Sequence, residues 1–170
     1  NPGMKENGGI FNHTQGWGVM ALARLGMGER AYEYMRNVLP ARFNELAEVR
    51  EVEPYAVCQS THSHFSPRYG SGRVSWLSGS AVWNYVAMTT SILGIQPDYA
   101  GLRIDPCIPP DWPGFKVTRR FRGATCNIEV RNPDGRQKGV REVKVDGRTI
   151  EGNCVPVAEA GRELTVKVTL

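Results

Sequence analysis

Ile95-Gln96-Pro97-Asp98-Tyr99-Ala100-Gly101-Leu102-Arg103-Ile104-Asp105-Pro106-Cys107-Ile108-Pro109-Pro110 separates two kinds of sequence. Proline has no backbone N–H and a fixed φ, so a helical pattern cannot run through Pro97, Pro106, Pro109 and Pro110. After Pro97 the apolar residues alternate with period two. Phe115, Val117, Arg119 and Phe121 form one such series, Cys126, Ile128 and Val130 a second, and Leu164, Val166, Val168 and Leu170 a third. Asn132-Pro133-Asp134-Gly135 and Asp146-Gly147 are strong turn signals between strands. This half predicts an antiparallel β layer, arranged as a sandwich.

Before the boundary the period is that of helices. Trp17, Met20, Ala21 and Leu25 predict a helix over Gln15–Leu25 with an apolar stripe, stopped by Gly26-Met27-Gly28. Ala31, Tyr32, Met35 and Val38 predict a second helix over Glu29–Leu39, closed by Pro40, so the pair reads as an αα-hairpin. Val82, Tyr85, Val86, Thr89 and Leu93 predict a third over Ser80–Leu93, with Ser78 or Ser80 as its cap and Gly94 at its end. Between the second and third helices, Ala41 to Leu77 shows little regular periodicity. It carries Tyr55, Gln59, Ser60, Thr61, His62, His64, Phe65, Tyr69 and Trp76, a polar and aromatic mixture suited to a binding wall. Three helices cannot cover their own apolar stripes, which points to the end of a larger helical domain (1–96) followed by a β appendage (97–170).

Composition narrows the function classes. The 170 residues include 21 Lys plus Arg and 17 Asp plus Glu, a formal charge of +4. The charge is dispersed, with 8 basic and 7 acidic residues before Pro97 and 13 and 10 from there on. No run of five like charges exists, which argues against a nucleic-acid stripe or a polybasic membrane patch. A content of 41% hydrophobic and 22% charged residues is that of a globular protein, and no apolar run is long enough to span a bilayer. Cys58, Cys107, Cys126 and Cys154 form no CxxC pair. Reduced thiols in a cytoplasm fit this spacing, and pairing after secretion stays open. The opening Asn1-Pro2-Gly3-Met4-Lys5-Glu6 has neither an initiator Met nor an apolar signal core, and reads like the middle of a chain.

Two segments suit anion contacts. Asn12-His13-Thr14-Gln15 puts a histidine at a helix entrance, beside the positive end of the dipole. The same histidine reads equally as a cap or as packing for Trp17. Leu77-Ser78-Gly79-Ser80 combines hydroxyls with a side-chain-free residue at another helix start, an arrangement that holds phosphate or simply caps the helix. Lys5-Glu6 offers an adjacent donor and acceptor for sugar hydroxyls, or a solvated pair. His62 and His64 would share one face of a strand but lack a third metal ligand, so no metal site is expected. Glu45, Glu48, Glu51 and Glu53 read as a charged face, and Cys58 as a buried thiol.

Several strings become familiar together: Lys5-Glu6-Asn7-Gly8-Gly9-Ile10-Phe11-Asn12-His13-Thr14, Glu53-Pro54-Tyr55 followed by Gln59, Ser75-Trp76-Leu77-Ser78-Gly79-Ser80-Ala81-Val82-Trp83, Ile92-Leu93-Gly94-Ile95 and Gly101-Leu102-Arg103-Ile104-Asp105-Pro106. In these the chain resembles the C-terminal part of the inverting disaccharide phosphorylases of glycoside hydrolase family 94. The resemblance is weakest after about Arg131. It implies the last helices of an (α/α)6 barrel followed by a jelly-roll-like β-sandwich. It also implies phosphate contacts at His13, Ser78 and Gly79, with Ser in place of the family's more usual Thr, and sugar contacts at Lys5, Glu6 and Gln59. The family's general acid, an Asp, and its phosphate-binding Arg are expected upstream, so no catalytic residue is assigned within this chain.

The implied reaction is cleavage of a β-1,4-linked disaccharide by inorganic phosphate, which is a co-substrate, with no other cofactor. The implied partners are the disaccharide, phosphate and the rest of the enzyme (an N-terminal β-sandwich and the remaining barrel), in a cytoplasmic homodimer without nucleic acid or membrane. Diacetylchitobiose and cellobionic acid fit the local strings better than cellobiose. For an acidic acceptor Lys5, Arg68 and Arg73 are the available cations. The competing class is a non-catalytic carbohydrate-binding module using aromatics such as Tyr69, Trp76 and Trp112. A third reading, a piece of a cyclic glucan synthase, would require transmembrane segments upstream.

Overall fold

The computed structural model of the chain describes residues 1–76 and 78–170. Leu77, at the end of the long connection and at the head of the Ser78 segment, lies outside the described residues. Mixed α and β structure divides into two compact units. One comprises Asn1–Ala21 with Glu33–Met88, the other Leu22–Tyr32 with Thr89–Leu170. Among the described residues no helix is long and apolar enough to cross a membrane.

In chain order the helical part comprises β1 (Ile10–Phe11), α1 (Asn12–Arg24), α2 (Gly28–Arg36), a 3-10 helix (Pro40–Leu46), α3 (Ala47–Arg50), β2 (Ser60–Thr61), β3 (Gly72–Arg73) and α4 (Ser80–Val86), which continues as a π-helical segment (Ala87–Ile92). The short strands form an antiparallel sheet in the order β1-β2-β3, with Ile10 opposite Thr61 and Ser60 opposite Arg73. The connection expected to be irregular thus contains two short helices and two strands. They escape periodicity because none is long enough to repeat a pattern.

All three expected helices exist. The hairpin turn is a left-handed cap in which Gly26 has φ 77°. Its N–H donates to the Ala23 carbonyl, and the Met27 N–H donates to that of Leu22. The helix faces require correction. The second helix ends at Arg36, short of the expected Leu39; of its expected face Ala31 and Met35 are buried and Tyr32 is half-buried, and Val38, just past the helix end, is buried. On α1 the buried residues are Asn12, Gly16, Val19 and Ala23, whereas Trp17 is exposed and Leu25, just past the helix end, is 74% exposed. On α4 and its extension the buried residues are Ser80, Asn84, Ala87 and Ile92, with Val82 65% exposed. Gly16 explains the choice, because a Cβ there would lie 3.1 Å from the Trp83 carbonyl oxygen. The two backbones approach through small and polar residues, which turns the bulky stripes outward.

The second unit holds β4 (Ile95–Pro97), β5 (Gly101–Ile104), β6 (Gly114–Phe121), β7 (Ala124–Arg131), β8 (Glu142–Val145), β9 (Arg148–Thr149), β10 (Cys154–Pro156) and β11 (Glu163–Thr169). They form a three-stranded sheet in the order β10-β5-β4 and a five-stranded sheet in the order β6-β7-β11-β8-β9. The alternation holds: Ala124, Cys126, Ile128 and Val130 of β7 and Leu164, Val166 and Val168 of β11 are buried. Full burial of each aliphatic side chain contributes about 1.5–3 kcal/mol.

The wholly antiparallel expectation is corrected by β11, which runs parallel to β7 (Val166 opposite Ile128) and antiparallel to β8 (Val166 opposite Val145). After β9 the chain crosses to the other sheet as β10 and re-enters in the direction of β7. Asp146-Gly147 is a two-residue hairpin turn with φ 48° and 82°, joining β8 to β9. Asn132-Pro133-Asp134-Gly135 is a turn but not a hairpin. It ends β7, which does not pair with the next strand, and the Asn132 amide donates to the carbonyls of Trp112 and Arg136.

Candidate functional site

The start of α1 is tied down on every side. The Asn12 N–H donates to the Gln59 carbonyl at 2.9 Å. Its buried side-chain amide donates to the Cys58 carbonyl at 2.9 Å and to Cys58 Sγ at 3.1 Å. The Asn12 carbonyl accepts from Asn84 Nδ2 at 3.1 Å, and the same nitrogen donates to the Ser80 carbonyl at 2.8 Å. Arg50 completes the frame, with Nη1 on Thr61 Oγ1 and the Gly70 carbonyl, Nη2 3.4 Å from Cys58 Sγ, and its guanidinium carbon 5.1 Å from the Phe43 ring centre. Cys58 is the expected buried thiol.

His13 follows Asn12 and is half-buried, with edge contacts to Phe11 and Trp17 at 5.5 Å each; Trp17 meets Trp83 at 5.7 Å. Ser78 acts on the first turn of α4: its Oγ accepts from the Ser80 N–H at 2.9 Å and donates to Ser80 Oγ at 2.7 Å. Gly79 is exposed beside it. The Gln59 N–H donates to the carbonyls of Arg73 and Val74, while its Oε1 is buried without a hydrogen-bond partner among the described residues. One continuous hydrogen-bonded chain therefore runs from Ser78 through Ser80, Asn84 and Asn12 to the Gln59 backbone, with His13 attached at Asn12. Of the six expected site residues, Ser78 and the Gln59 backbone take part in it, and His13 and Gly79 are sequence neighbours of its members.

Lys5 and Glu6 stand on a different support. They are the two central residues of a tight turn closed by the Asn7 N–H on the Met4 carbonyl, and Lys5 has φ 43°. The turn is pinned by Gly9 N–H to the Lys5 carbonyl and by Ser63 N–H to the Gly3 carbonyl. A Cβ on Gly9 would lie 2.4 Å from the Lys5 nitrogen, so that position requires glycine. The backbone is held while both charged side chains are exposed.

Other expectations are revised. His62 and His64 do not share a face, because β2 ends at Thr61. His62 is buried with Nδ1 2.8 Å from Ser66 Oγ, and His64 is exposed against Phe65. Burial, reinforced by Arg73 and Arg68, holds the His62 pKa below its ordinary value. Arg68, a candidate cation for an acidic acceptor, is paired with Glu51; the hydrogen bond from Arg68 and then that from Ser71 hold the Glu51 carboxyl below its ordinary range. Glu53 accepts from the Trp76 indole N–H at 2.8 Å. Trp112 packs edge-on against Tyr32 at 4.9 Å, which removes it from the exposed platforms, whereas Tyr69 and Trp76 are exposed.

A cavity of about 390 Å³ in the same unit is lined by Ile10, Asn12, Gln15, Val38, Phe43 and Arg50 among others, and by none of the six expected site residues. Sequence reasoning passed over Asn12 and Asn84. The available signal was a polar residue at a position buried by helical spacing from a glycine or serine.

Residues 1–94 match the sequence model of the glycosyl hydrolase 94 superfamily catalytic domain. The chain is 42% identical over 166 residues to an N,N'-diacetylchitobiose phosphorylase of Vibrio proteolyticus, a match covering 98% of this chain and 21% of the relative. It is 32% identical to a solabiose phosphorylase of Paenibacillus borealis (99% of this chain, 22% of the relative). It is 27% identical to a cellobionic acid phosphorylase of Neurospora crassa (99% of this chain, 21% of the relative). The chain thus spans about a fifth of the length of these relatives. With the matched segment containing both helix starts and the network between them, the chain is a member of the glycosyl hydrolase 94 superfamily.

Proposed function

We propose that this chain is part of an inverting disaccharide phosphorylase and supplies one wall of its active site. The observation that carries the reading is the hydrogen-bonded chain from Ser78 to the Gln59 backbone within the matched segment, with His13 and Gly79 next to its members in sequence. A hydrolase of this stereochemistry needs a carboxylate base to activate water. Phosphate is already an anionic nucleophile, so the base is replaced by a cradle that positions it below the anomeric carbon. His13, Ser78 and Gly79 are that cradle. A phosphate oxygen would accept the hydrogen bond that the Ser78 hydroxyl now donates to Ser80 Oγ.

Lys5, Glu6 and Gln59 hold the sugar hydroxyls, with the buried Gln59 Oε1 as an acceptor that has yet to meet a donor. Phosphate oxygen forms the new bond to the anomeric carbon as the glycosidic C–O bond breaks. The leaving oxygen receives a proton from an acid outside this chain, giving an α-sugar-1-phosphate and a monosaccharide. Residues 1–96 are assigned to an (α/α)6 barrel and 97–170 to a β-sandwich of a cytoplasmic homodimer. The outward-facing Trp17, Val82 and Trp83 suit cover by the rest of the barrel. The carbohydrate-binding-module reading is not favoured, because relatives along nearly the whole chain are phosphorylases.

The test is phosphate-dependent release of sugar-1-phosphate by the full-length protein. Diacetylchitobiose, cellobionic acid, cellobiose and solabiose are offered separately. Turnover of one of them only when phosphate is present is the expected result and identifies the leaving sugar. Equal turnover without phosphate would refute phosphorolysis.

A further inference from the structure

We infer that Asn84 is a positioning residue that sets the spacing between His13 and the Ser78–Gly79 pair. The inference rests on the phosphate-binding reading of those three residues and adds the part that holds them in register. Asn84 is only 3% exposed. Its Nδ2 reaches the carbonyls of two helix-starting residues, Asn12 of α1 at 3.1 Å and Ser80 of α4 at 2.8 Å. His13 is the residue after Asn12. Ser80 is the residue whose N–H and hydroxyl both engage Ser78 Oγ. The amide therefore spans the two halves of the proposed cradle.

Two further contacts between these helices are of a different kind. Trp17 meets Trp83 edge-on and Gly16 lies against the Trp83 carbonyl, contacts that bring the helices close without fixing their slide. A forked amide donor on two carbonyls is directional and fixes it. The side chain is also kept at a cost: its Oδ1 is buried and without a partner among the described residues. A leucine would fill this place with no buried side-chain oxygen of its own to leave unpaired, so the amide is kept for the donor it supplies to the two carbonyls. An anion site requires its donors to be held within fractions of an ångström, which is the purpose such a clamp serves.

The experiment is Asn84→Leu in the full-length protein, assayed in phosphorolysis of its preferred disaccharide with inorganic phosphate varied. The phosphate KM is expected to rise about tenfold or more while the disaccharide KM stays within about twofold, because only the cradle loses its register. A phosphate KM within twofold of the parent, or an equal rise in both KM values, would overturn the role. Should the leucine variant fail to fold, Asn84→Asp keeps the shape but faces two carbonyls with an acceptor, and it must produce the same phosphate-selective rise. Failure of both variants to fold also overturns the inference, since scaffolding would then account for the residue. His13→Ala run in parallel separates the two levels. If it raises the phosphate KM and the Asn84 variants do not, only the Asn84 role falls. If it leaves the phosphate KM unchanged, the phosphate reading falls and Asn84 with it.

Discussion

In the five-stranded sheet Cys126, Ile128 and Val130 of β7 are buried beside Leu164, Val166 and Val168 of β11, whereas the helical unit takes Asn12, Ser60, His62, Ser63 and Asn84 out of water. Among the described residues the second unit buries one whole polar residue, Asn132, which closes its own loop, and it also buries the Nε of Arg119. Apolar burial is non-directional and tolerates small adjustments. A buried polar network is directional, and each lost donor strands an acceptor. The helical unit carries the candidate site and is built the second way. The β unit, with paired strands and a continuous apolar interior, is built the first way.

The contrast can be broken by substitution. The largest effect is expected from Ile128→Ala, which removes most of a buried side chain and should cost about 2–5 kcal/mol of stability, read from denaturant unfolding of the full-length protein. A loss well below 1 kcal/mol would show that the sheet interior is not the closed core described here. Next is His13→Ala, expected to lower phosphorolysis about 10²-fold with little change in unfolding midpoint. An equal loss of stability would turn His13 into packing for Trp17. Gly16→Val should follow at about 1–3 kcal/mol, because its side chain must displace the Trp83 backbone. The same variant sharpens the comparison if its phosphate KM also rises, since stability and site then share one contact.

Gly147→Ala is smaller, about 1 kcal/mol. Its φ is 82° and nothing crowds the position, so only backbone conformation is at stake. Unchanged stability would mean that the turn relaxes. The smallest effect is a pH slope from His62. Its folded pKa lies below the ordinary 6.5, so the unfolded chain binds the proton first as pH falls below that value. Stability is full above pH 6.5 and declines below it until the folded histidine titrates. His62→Gln should flatten unfolding midpoints measured between pH 7 and 5, whereas substitution of the exposed His64 should not. Equal slopes in parent and His62→Gln would remove His62 as the cause.

The parts legible in the sequence share a physical basis. The burial of Ala31 and Met35 on α2, the alternation along β7 and β11 and the Asp146-Gly147 hairpin are all written in spacing or in turn chemistry. The faces of α1 and α4 are not legible from bulk, because Gly16 and Asn84 provide the close contact and the bulky side chains turn outward. Strand direction was illegible for β11, since alternation reads the same in either direction. In the candidate site, His13, Gln59 and Ser78 carried recognisable chemistry. The turn that presents Lys5-Glu6 depends on a left-handed lysine that no residue-level preference announces.

By itself, the sequence determined where helices give way to strands, which residue types could meet an anion or a sugar, and the family to which the chain belongs. These are properties of short stretches, and local periodicity and motif spacing encode them. Only the tertiary structure decided that Asn12 and Asn84, 72 positions apart, tie two helix starts together. The split of His62 from His64, and the placing of β11 between β7 and β8, were likewise settled only there. Those outcomes depend on which distant backbone groups satisfy one another, and a hydrogen bond between remote residues leaves no mark on the neighbours of either one in the chain.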